Sequence, residues 1–428
     1  MPSTRLRPGR KLPPSQCKMN KRVAVTGIGV VSPVGNDKDT FFANLFNGVS
    51  GISHLASDFA DRLTIRIAGQ VHIDPAQYLP PTQIGSLDRV SHFALIAACQ
   101  ALTDSGVDLQ NVSTDRIGVY FGTGAGGIGT VEDGYVQLYK LAATRARPLT
   151  VVMGMHNAPA AQVGIRFGLR GPNITYSTAC ASSTIAIGEA YRAIKAGHLL
   201  GAVAGGAEAL LTLGMLRAWE ALCTLAPEDP QDPSASCRPF SKDRHGLVLA
   251  EGAAVVFLED AEVARERGAQ IYAELLGYGA NNDAAHLTKP LAESQAKAMI
   301  LALEDAGVDP RDIDYINAHG TATSVGDVAE TDAIKMAFGR HAYDVPISST
   351  KALHGHLMGA TGAVEFIASV LSIRNNAILP TAHLRVPDPA CDLDYVPNTG
   401  RGNANVRVIM SNSFAFGGSN AVLVAGAL

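Results

Sequence analysis

Two eight-residue segments of this chain are near copies of each other. Ala101-Leu-Thr-Asp-Ser-Gly-Val-Asp108 and Ala302-Leu-Glu-Asp-Ala-Gly-Val-Asp309 precede apolar runs, Arg116 to Phe121 and Ile313 to Ala318. Similarity between distant segments marks a structural unit used more than once. The echo continues more weakly. A helical stretch from Ile185 to Ala196 precedes a strand at Gly201 to Ala204 and then Gly205-Gly206. A helical stretch from about Leu357 to Arg374 precedes a strand at Val406 to Met410 and, further on, Gly417-Gly418. Strands alternating with helices, run through twice, predict a duplicated α/β architecture. The halves should meet near residues 260–280, after a strand at Ala253 to Leu258 and the charged segment Glu259 to Arg267. A chain of 428 residues, 47% hydrophobic, can bury both.

Charge and cysteine usage exclude several classes. Residues 1–22 carry seven basic side chains and no acid, against a net charge of −4, so the rest holds about −11. Such a body is a poor general partner for nucleic acid. The basic start has no apolar core and does not read as a secretory signal. An Arg-rich, acid-free start also fits an organelle transit peptide, but a disordered extension over residues 1–20 or an upstream start is favoured, since Met19 closely precedes the first strand. No run of about 18 apolar residues is present, so no membrane span is expected. The six cysteines form no CxxC pair, which argues against zinc and fits a reducing cytoplasm.

In chain order, Arg22 to Ile28 reads as a buried strand stopped by Gly27, Gly29 and Pro33. Gly27-x-Gly29 lacks the third glycine and the later acid of a dinucleotide fingerprint. Asp37 to Phe46 and Ser91 to Ser105 read as helices. Gly122 to Gly127 resembles a phosphate cradle, but no lysine follows, and it is read as a tight turn at a pocket wall.

Four stretches carry chemistry. The first is Gly171 to Thr184, in which Cys180 sits among small residues where a short strand turns into a helix. A helix N-terminus favours the thiolate, so a lowered pKa is expected there. Most free cysteines are only small buried hydrophobes, and the case for Cys180 depends on what accompanies it. The second stretch, Ile316 to Glu330, places His319 just past a strand end, where α/β sheets bind ligands. Thr321 and Thr323 follow, and Asp327 and Glu330 read as first-turn acids favoured by the helix dipole. The third, Ile347 to Glu365, supplies Lys351, His354, His356 and Glu365. The fourth, Ser411 to Asn420, joins two apolar strands through Phe414, Phe416 and a glycine pair, a pattern that suits a hydrophobic gate.

Taken in order, the four stretches resemble the β-ketoacyl-acyl carrier protein synthases of the condensing-enzyme (thiolase-like) family, elongating type II-like, over about residues 20–428. The resemblance implies a layered αβαβα fold with two mixed sheets. It implies residues 21–268 as an N-terminal half with the nucleophile and 269–428 as a C-terminal half with both histidines. It also implies decarboxylative condensation of malonyl-acyl carrier protein with a Cys180-bound acyl chain. Cys180 would be the nucleophile, His319 and His356 the paired histidines, and Lys351 their organiser with Glu365 in support. Thr321 and Thr323 would bind the phosphopantetheine arm. Phe416 would be the gate, its N–H joining that of Cys180 in an oxyanion hole, with Phe414 and Ala125 on the substrate side. No metal or redox cofactor is implied, since the substrates are carried on the phosphopantetheine of an acyl carrier protein. The partners implied are that carrier and a second copy of the chain, or a second subunit.

Four positions depart from the family pattern. Ala125 is smaller than the usual pocket residue, which suggests tolerance for long, unsaturated or bulky acyl chains. Ala415 replaces a glycine between the two phenylalanines, His354 replaces a threonine, and Leu225 stands where a basic carrier contact is expected, leaving Arg145 and Arg147 as the positive patch. A thiolase would need a second cysteine in the Ser411–Asn420 loop, which has none, and a type III synthase would pair its histidine with asparagine. A non-catalytic chain-length-factor subunit is the remaining alternative. It lacks the nucleophile that Cys180 supplies.

Overall fold

The structure is a computed structural model that describes residues 20–428. The basic extension assigned to residues 1–20 thus lies, apart from Asn20, outside the described residues.

Ten strands carry the fold: β1 (Val23–Val31), β2 (Ile117–Gly122), β3 (Asn173–Tyr176), β4 (Gly201–Glu208), β5 (Gly252–Asp260), β6 (Ala273–Asn282), β7 (Tyr315–Asn317), β8 (Ile347–Ser348), β9 (Val408–Phe414) and β10 (Ser419–Gly426). Their spatial order is β8-β7-β9-β10-β6-β1-β5-β4-β2-β3. The first half, β3-β2-β4-β5-β1, and the second, β8-β7-β9-β10-β6, have the same order and the same directions. In each, three parallel strands are followed by two antiparallel ones. The repeat seen in the sequence is therefore a repeat of a complete mixed sheet. The two sheets also touch. Three residue pairs, Val23–Leu275, Ala24–Glu274 and Val25–Ala273, join β1 to β6 edge to edge.

Four long helices complete the layers: α1 (Arg89–Ser105), α2 (Ser182–Lys195), α3 (Ala292–Ala306) and α4 (Thr361–Asn375). Helix α1 covers the outer face of the first sheet and α3 the outer face of the second, while α2 and α4 pack together between the sheets. The residues of α4 from Thr361 to Leu371 are at most 3% exposed. A helix apolar on every side, as this one nearly is, has to lie inside the molecule. The architecture is αβαβα, as expected.

One expectation about β1 is corrected. Gly27 and Gly29 do not stop the strand, which continues to Val31. A Cβ on Gly27 would lie 2.0 Å from the Ala101 carbonyl oxygen, and one on Gly29 would lie 1.9 Å from that of Ala97. The glycines let the backbone of α1 lie directly on the strand. Gly277 and Gly279 do the same for α3, with Cβ positions 2.4 Å and 2.2 Å from the carbonyls of Ala302 and Ala298. This second sequence echo follows from the packing. Both helices end on a left-handed glycine, Gly106 at φ 64° and Gly307 at φ 67°.

Candidate active site

Cys180 lies in a single turn, Ala179–Ala181, at the base of α2. Small side chains allow the crowding here. A Cβ on Gly122 would lie 2.3 Å from the Ser183 nitrogen. The hydroxyls of α2 bind neighbouring segments. Ser182 accepts from the Thr178 N–H at 2.8 Å, Ser183 from the Ala363 N–H at 2.9 Å, and Thr184 pairs with Ser413 at 2.7 Å. The start of α2 is thereby fastened to the start of α4, so the cysteine and the His356 segment share one rigid support.

His319 follows β7, and His356 follows a short helix, Lys351–His354, and Gly355. The His356 Nε2 is 3.0 Å from the Cys180 Sγ, and the two imidazole rings meet edge to face at 5.7 Å. Cys180, His319 and His356 each offer a ligand atom within 4.8 Å of the others. Hydrogen bonds fix both tautomers. The Met358 N–H donates to the His356 Nδ1 at 3.0 Å, which leaves the proton on Nε2. The Lys351 ammonium, a donor only, lies 3.4 Å from the His319 Nδ1 and sends that ring's proton to Nε2 as well. Burial holds both imidazoles well below their ordinary pKa, and the charge of Lys351 adds to the effect. The result is two neutral rings, each with an Nε2–H donor, next to one sulfur.

Lys351 is fully buried, pairs with Glu365 and also donates to the His319 carbonyl. Burial pushes the Glu365 carboxyl upward and Lys351 draws it back. His354 is buried beside this pair, its ring on the Gly355 carbonyl at 2.7 Å and the Thr350 hydroxyl at 2.9 Å, with its pKa lowered to about 3 by burial.

The expectation of an acidic thiol is not met. Burial pushes Cys180 up to about 12, although the charge of Lys351 and the N–H groups of Phe416 and Cys180 act the other way. Desolvation outweighs the helix end because Cys180 is only 5% exposed. Alkylation by iodoacetamide, which needs the thiolate, is expected to accelerate about tenfold per pH unit between pH 7 and 10. A plateau reached below pH 9 would show that the thiol is not held up in this way.

Asp327 and Glu330 are not surface helix acids either. Both are buried. Glu330 accepts from the N–H groups of His319 at 2.8 Å and Gly320 at 2.7 Å, and from Asn412 at 3.2 Å. Asp327 accepts from the Phe240 N–H at 2.7 Å, with Arg244 at 3.7 Å. Glu330 thus holds the His319 loop and Asp327 ties in Phe240, roles that helix-dipole reasoning does not suggest.

A cavity of about 360 Å³ reaches the sulfur. Its wall includes Cys180, His319, His356, Thr321, Thr323, Phe414 and Phe416, and Lys289 and His286 stand exposed at its rim. The two threonine hydroxyls lie 3.1 Å apart. Ala125 is not part of this wall. It packs in the apolar cluster around Cys180 with Leu216, Met358 and Phe416, and its N–H donates to Glu208 at 3.0 Å. Leu225 is buried in the same cluster, and Arg145 and Arg147 are exposed away from the cavity.

Glu208 is the residue whose role has no motif to announce it. Fully buried at the end of β4, it accepts from the N–H groups of Gly124 at 2.7 Å and Gly359 at 2.9 Å, as well as from Ala125. The loop that looked like a phosphate cradle does turn its N–H groups on an acid, and the acid is this side chain, which burial pushes up to about 7 while the N–H groups draw it back. The one available signal is an acid closing an otherwise apolar strand.

The comparisons agree with this geometry. Residues 20–264 match the N-terminal domain of β-ketoacyl synthase and residues 272–385 the C-terminal domain. A 3-oxoacyl-[acyl-carrier-protein] synthase 2 of Staphylococcus aureus (strain N315) is 41% identical over 95% of this chain and 98% of its own. The crystal structure of a β-ketoacyl synthase from Burkholderia phymatum STM815 superposes with a TM-score of 0.88 and 36% identity, covering 95% of this chain and 100% of its own. A type II polyketide acyl-carrier protein in complex with its hexaketide-bound ketosynthase contains a chain at TM-score 0.88 and 32% identity, covering 96% of this chain and 100% of that one. With both domain models matched in order and a thiol and two imidazoles brought together from opposite halves, the chain belongs to the β-ketoacyl synthase family.

Proposed function

We propose that this protein joins a Cys180-bound acyl chain to the two-carbon unit of a malonyl thioester, with both substrates delivered on the phosphopantetheine of an acyl carrier protein. In the first step the Cys180 sulfur attacks the acyl thioester. The bond to the carrier sulfur breaks, and the carrier thiol leaves with the cysteine proton. The malonyl thioester then enters and loses CO2, and the electron pair of the broken C–C bond becomes an enolate. The Nε2–H groups of His319 and His356 stabilise the enolate oxygen. The enolate carbon attacks the acyl carbonyl, whose oxygen takes the N–H groups of Phe416 and Cys180. The tetrahedral intermediate collapses, the C–S bond breaks, and the sulfur takes up a proton from solvent, the one proton the overall reaction consumes. Decarboxylation supplies the driving force, so the scheme uses no metal or redox cofactor.

The observation that carries this reading is the pair of fixed Nε2–H donors beside the sulfur. Lys351, with Glu365, sets the His319 tautomer, and Thr321 and Thr323 offer hydroxyls to the pantetheine amides. The deciding experiment is intact-mass analysis after incubation with an acyl-carrier thioester. An acyl adduct on Cys180 supports the enzyme, and its absence favours the non-catalytic subunit. The chemistry applies equally to fatty-acid elongation and to a specialised polyketide-like pathway.

Ala125 lies outside the open cavity, in the apolar cluster around Cys180, and its small side chain would let that cluster yield to a long, unsaturated or bulky chain. Ala125→Ile is expected to shift the product profile toward shorter chains in a panel of acyl-carrier thioesters, and an unchanged profile would remove Ala125 from specificity. A homodimer is part of the proposal. β3 is an outer strand of the sheet with half-exposed residues, and Tyr139, Val151 and Ile165 are 83%, 73% and 74% exposed. A dimer seam along this edge would cover such exposed apolar side chains. No helix among the described residues is long and apolar enough to cross a membrane. The five cysteines among them are all unpaired, which fits a cytoplasmic setting.

A further inference from the structure

Trp219 is the only tryptophan of the chain. It lies on the helix Leu213–Ala221, is 8% exposed, and stacks on Phe416 with ring centres 6.2 Å apart and planes 21° from parallel. Its platform is firm. Thr212 caps the helix, and the Glu220 carboxylate accepts from the N–H groups of Thr64 at 2.6 Å and Ile65 at 2.8 Å.

Phe416, by contrast, stands on a loop built to turn. Gly417 and Gly418 follow it at φ +86° and +80°, backbone that glycine adopts freely. The loop's own hydrogen bonds run from the Ala415 N–H to Ser419, the Gly418 N–H to Ala415 and the Gly417 N–H to Leu287. None uses the peptide groups of Phe416. Its ring is held by packing in the apolar cluster around Cys180, where the one aromatic stack it makes is with Trp219.

The location of the stack gives it a consequence. Both rings line the cavity that reaches Cys180. Ala125, Leu216 and Met358 are in the same apolar cluster but outside the cavity wall. The stacked pair thus stands between the open cavity and the apolar packing beyond the sulfur.

We propose that Trp219 is the seat of the Phe416 gate, a positioning residue that holds the gate closed, and that this aromatic pair must part before the hydrocarbon of an acyl thioester can enter the cluster behind Cys180. The inference rests on the acyl-enzyme reading given above and adds the element that sets the gate's resting position. An aromatic pair favours the closed state by roughly 2- to 12-fold over one without it.

The test uses the full chain and compares Cys180 acylation by a long-chain acyl-carrier thioester with Cys180 alkylation by iodoacetamide, a reagent too small to need the space behind the gate. In Trp219→Leu the ratio of acylation rate to alkylation rate is expected to rise about 2- to 12-fold. In Trp219→Phe, which keeps an aromatic seat, it is expected to return toward the parent value. An unchanged ratio in Trp219→Leu overturns the proposal. If that variant does not fold, the unmodified protein supplies the readout, because its tryptophan fluorescence comes from Trp219 alone. Adduct formation at Cys180 should change that emission with the same rate constant as acylation. Acylation with no change in emission overturns the gate proposal and leaves the condensing reaction standing, whereas no adduct at all overturns the condensing reaction itself.

Discussion

Cys180→Ala is expected to abolish both the acyl adduct and condensation, yet to leave malonyl decarboxylation measurable, because the two imidazoles that stabilise the enolate are still present. His319→Ala and His356→Ala are expected to show the opposite pattern. Each removes one Nε2–H donor from the position where negative charge develops. Losing such a donor costs about 2.7–4 kcal/mol of barrier, or roughly 10²- to 10³-fold in rate. The tautomer of each ring is fixed by a neighbour, so the remaining ring cannot easily turn to replace the lost donor. His356→Ala should also slow acyl transfer, since its Nε2 lies 3.0 Å from the sulfur. The measurement is carbon dioxide release from malonyl-carrier protein alongside intact-mass detection of the adduct. Decarboxylation that survives both histidine substitutions undiminished would remove the imidazoles from the enolate step.

The second large effect is expected at Lys351. Lys351→Met leaves Glu365 fully buried without its cation. Breaking a buried ion pair from one side typically costs about 3–5 kcal/mol. The pH dependence has a definite sign. Burial already raises Glu365 above 4.5 in the folded state, and without Lys351 it rises further. A carboxyl raised in the folded state favours folding at acid pH and penalises it as the pH climbs above the unfolded value. Denaturant unfolding should therefore show Lys351→Met closer to the parent protein at pH 5 than at pH 8. Adding Glu365→Gln should recover part of the loss, which a double-mutant cycle would measure. Activity should fall even where the variant stays folded, because the His319 Nδ1 loses the ammonium that fixes its proton. Equal destabilisation at both pH values would show that Glu365 is not the group left exposed to the penalty.

The duplication was legible because it is written locally. Ala101–Asp108 and Ala302–Asp309 each end a helix at a glycine, and helix ends depend on residues close in the chain. The four chemical stretches were legible for the same reason. Cys180, His319, His356 and Lys351 each stand at a strand or helix end whose limits the neighbouring residues set. Both smaller misreadings came from packing partners distant in sequence. Gly27 and Gly29 looked like strand breakers because α1, which needs their missing side chains, lies about seventy residues further along the chain. Asp327 and Glu330 looked solvated because their partners, Phe240, Arg244 and Asn412, come from other elements.

By itself the sequence determined the class of fold and its duplication, and it singled out the side chains that the proposed reaction uses, since helix ends, strand runs and turn residues are short-range properties. Only the tertiary structure decided the electrostatics. Whether Cys180 is acidic depends on the competition between a helix end, which is local, and desolvation, which every surrounding layer contributes to, and desolvation wins. The same holds for the Glu208 carboxylate inside the glycine loop and for the ring that Trp219 offers Phe416. Each joins segments about eighty to two hundred residues apart, and no local pattern encodes a contact of that range.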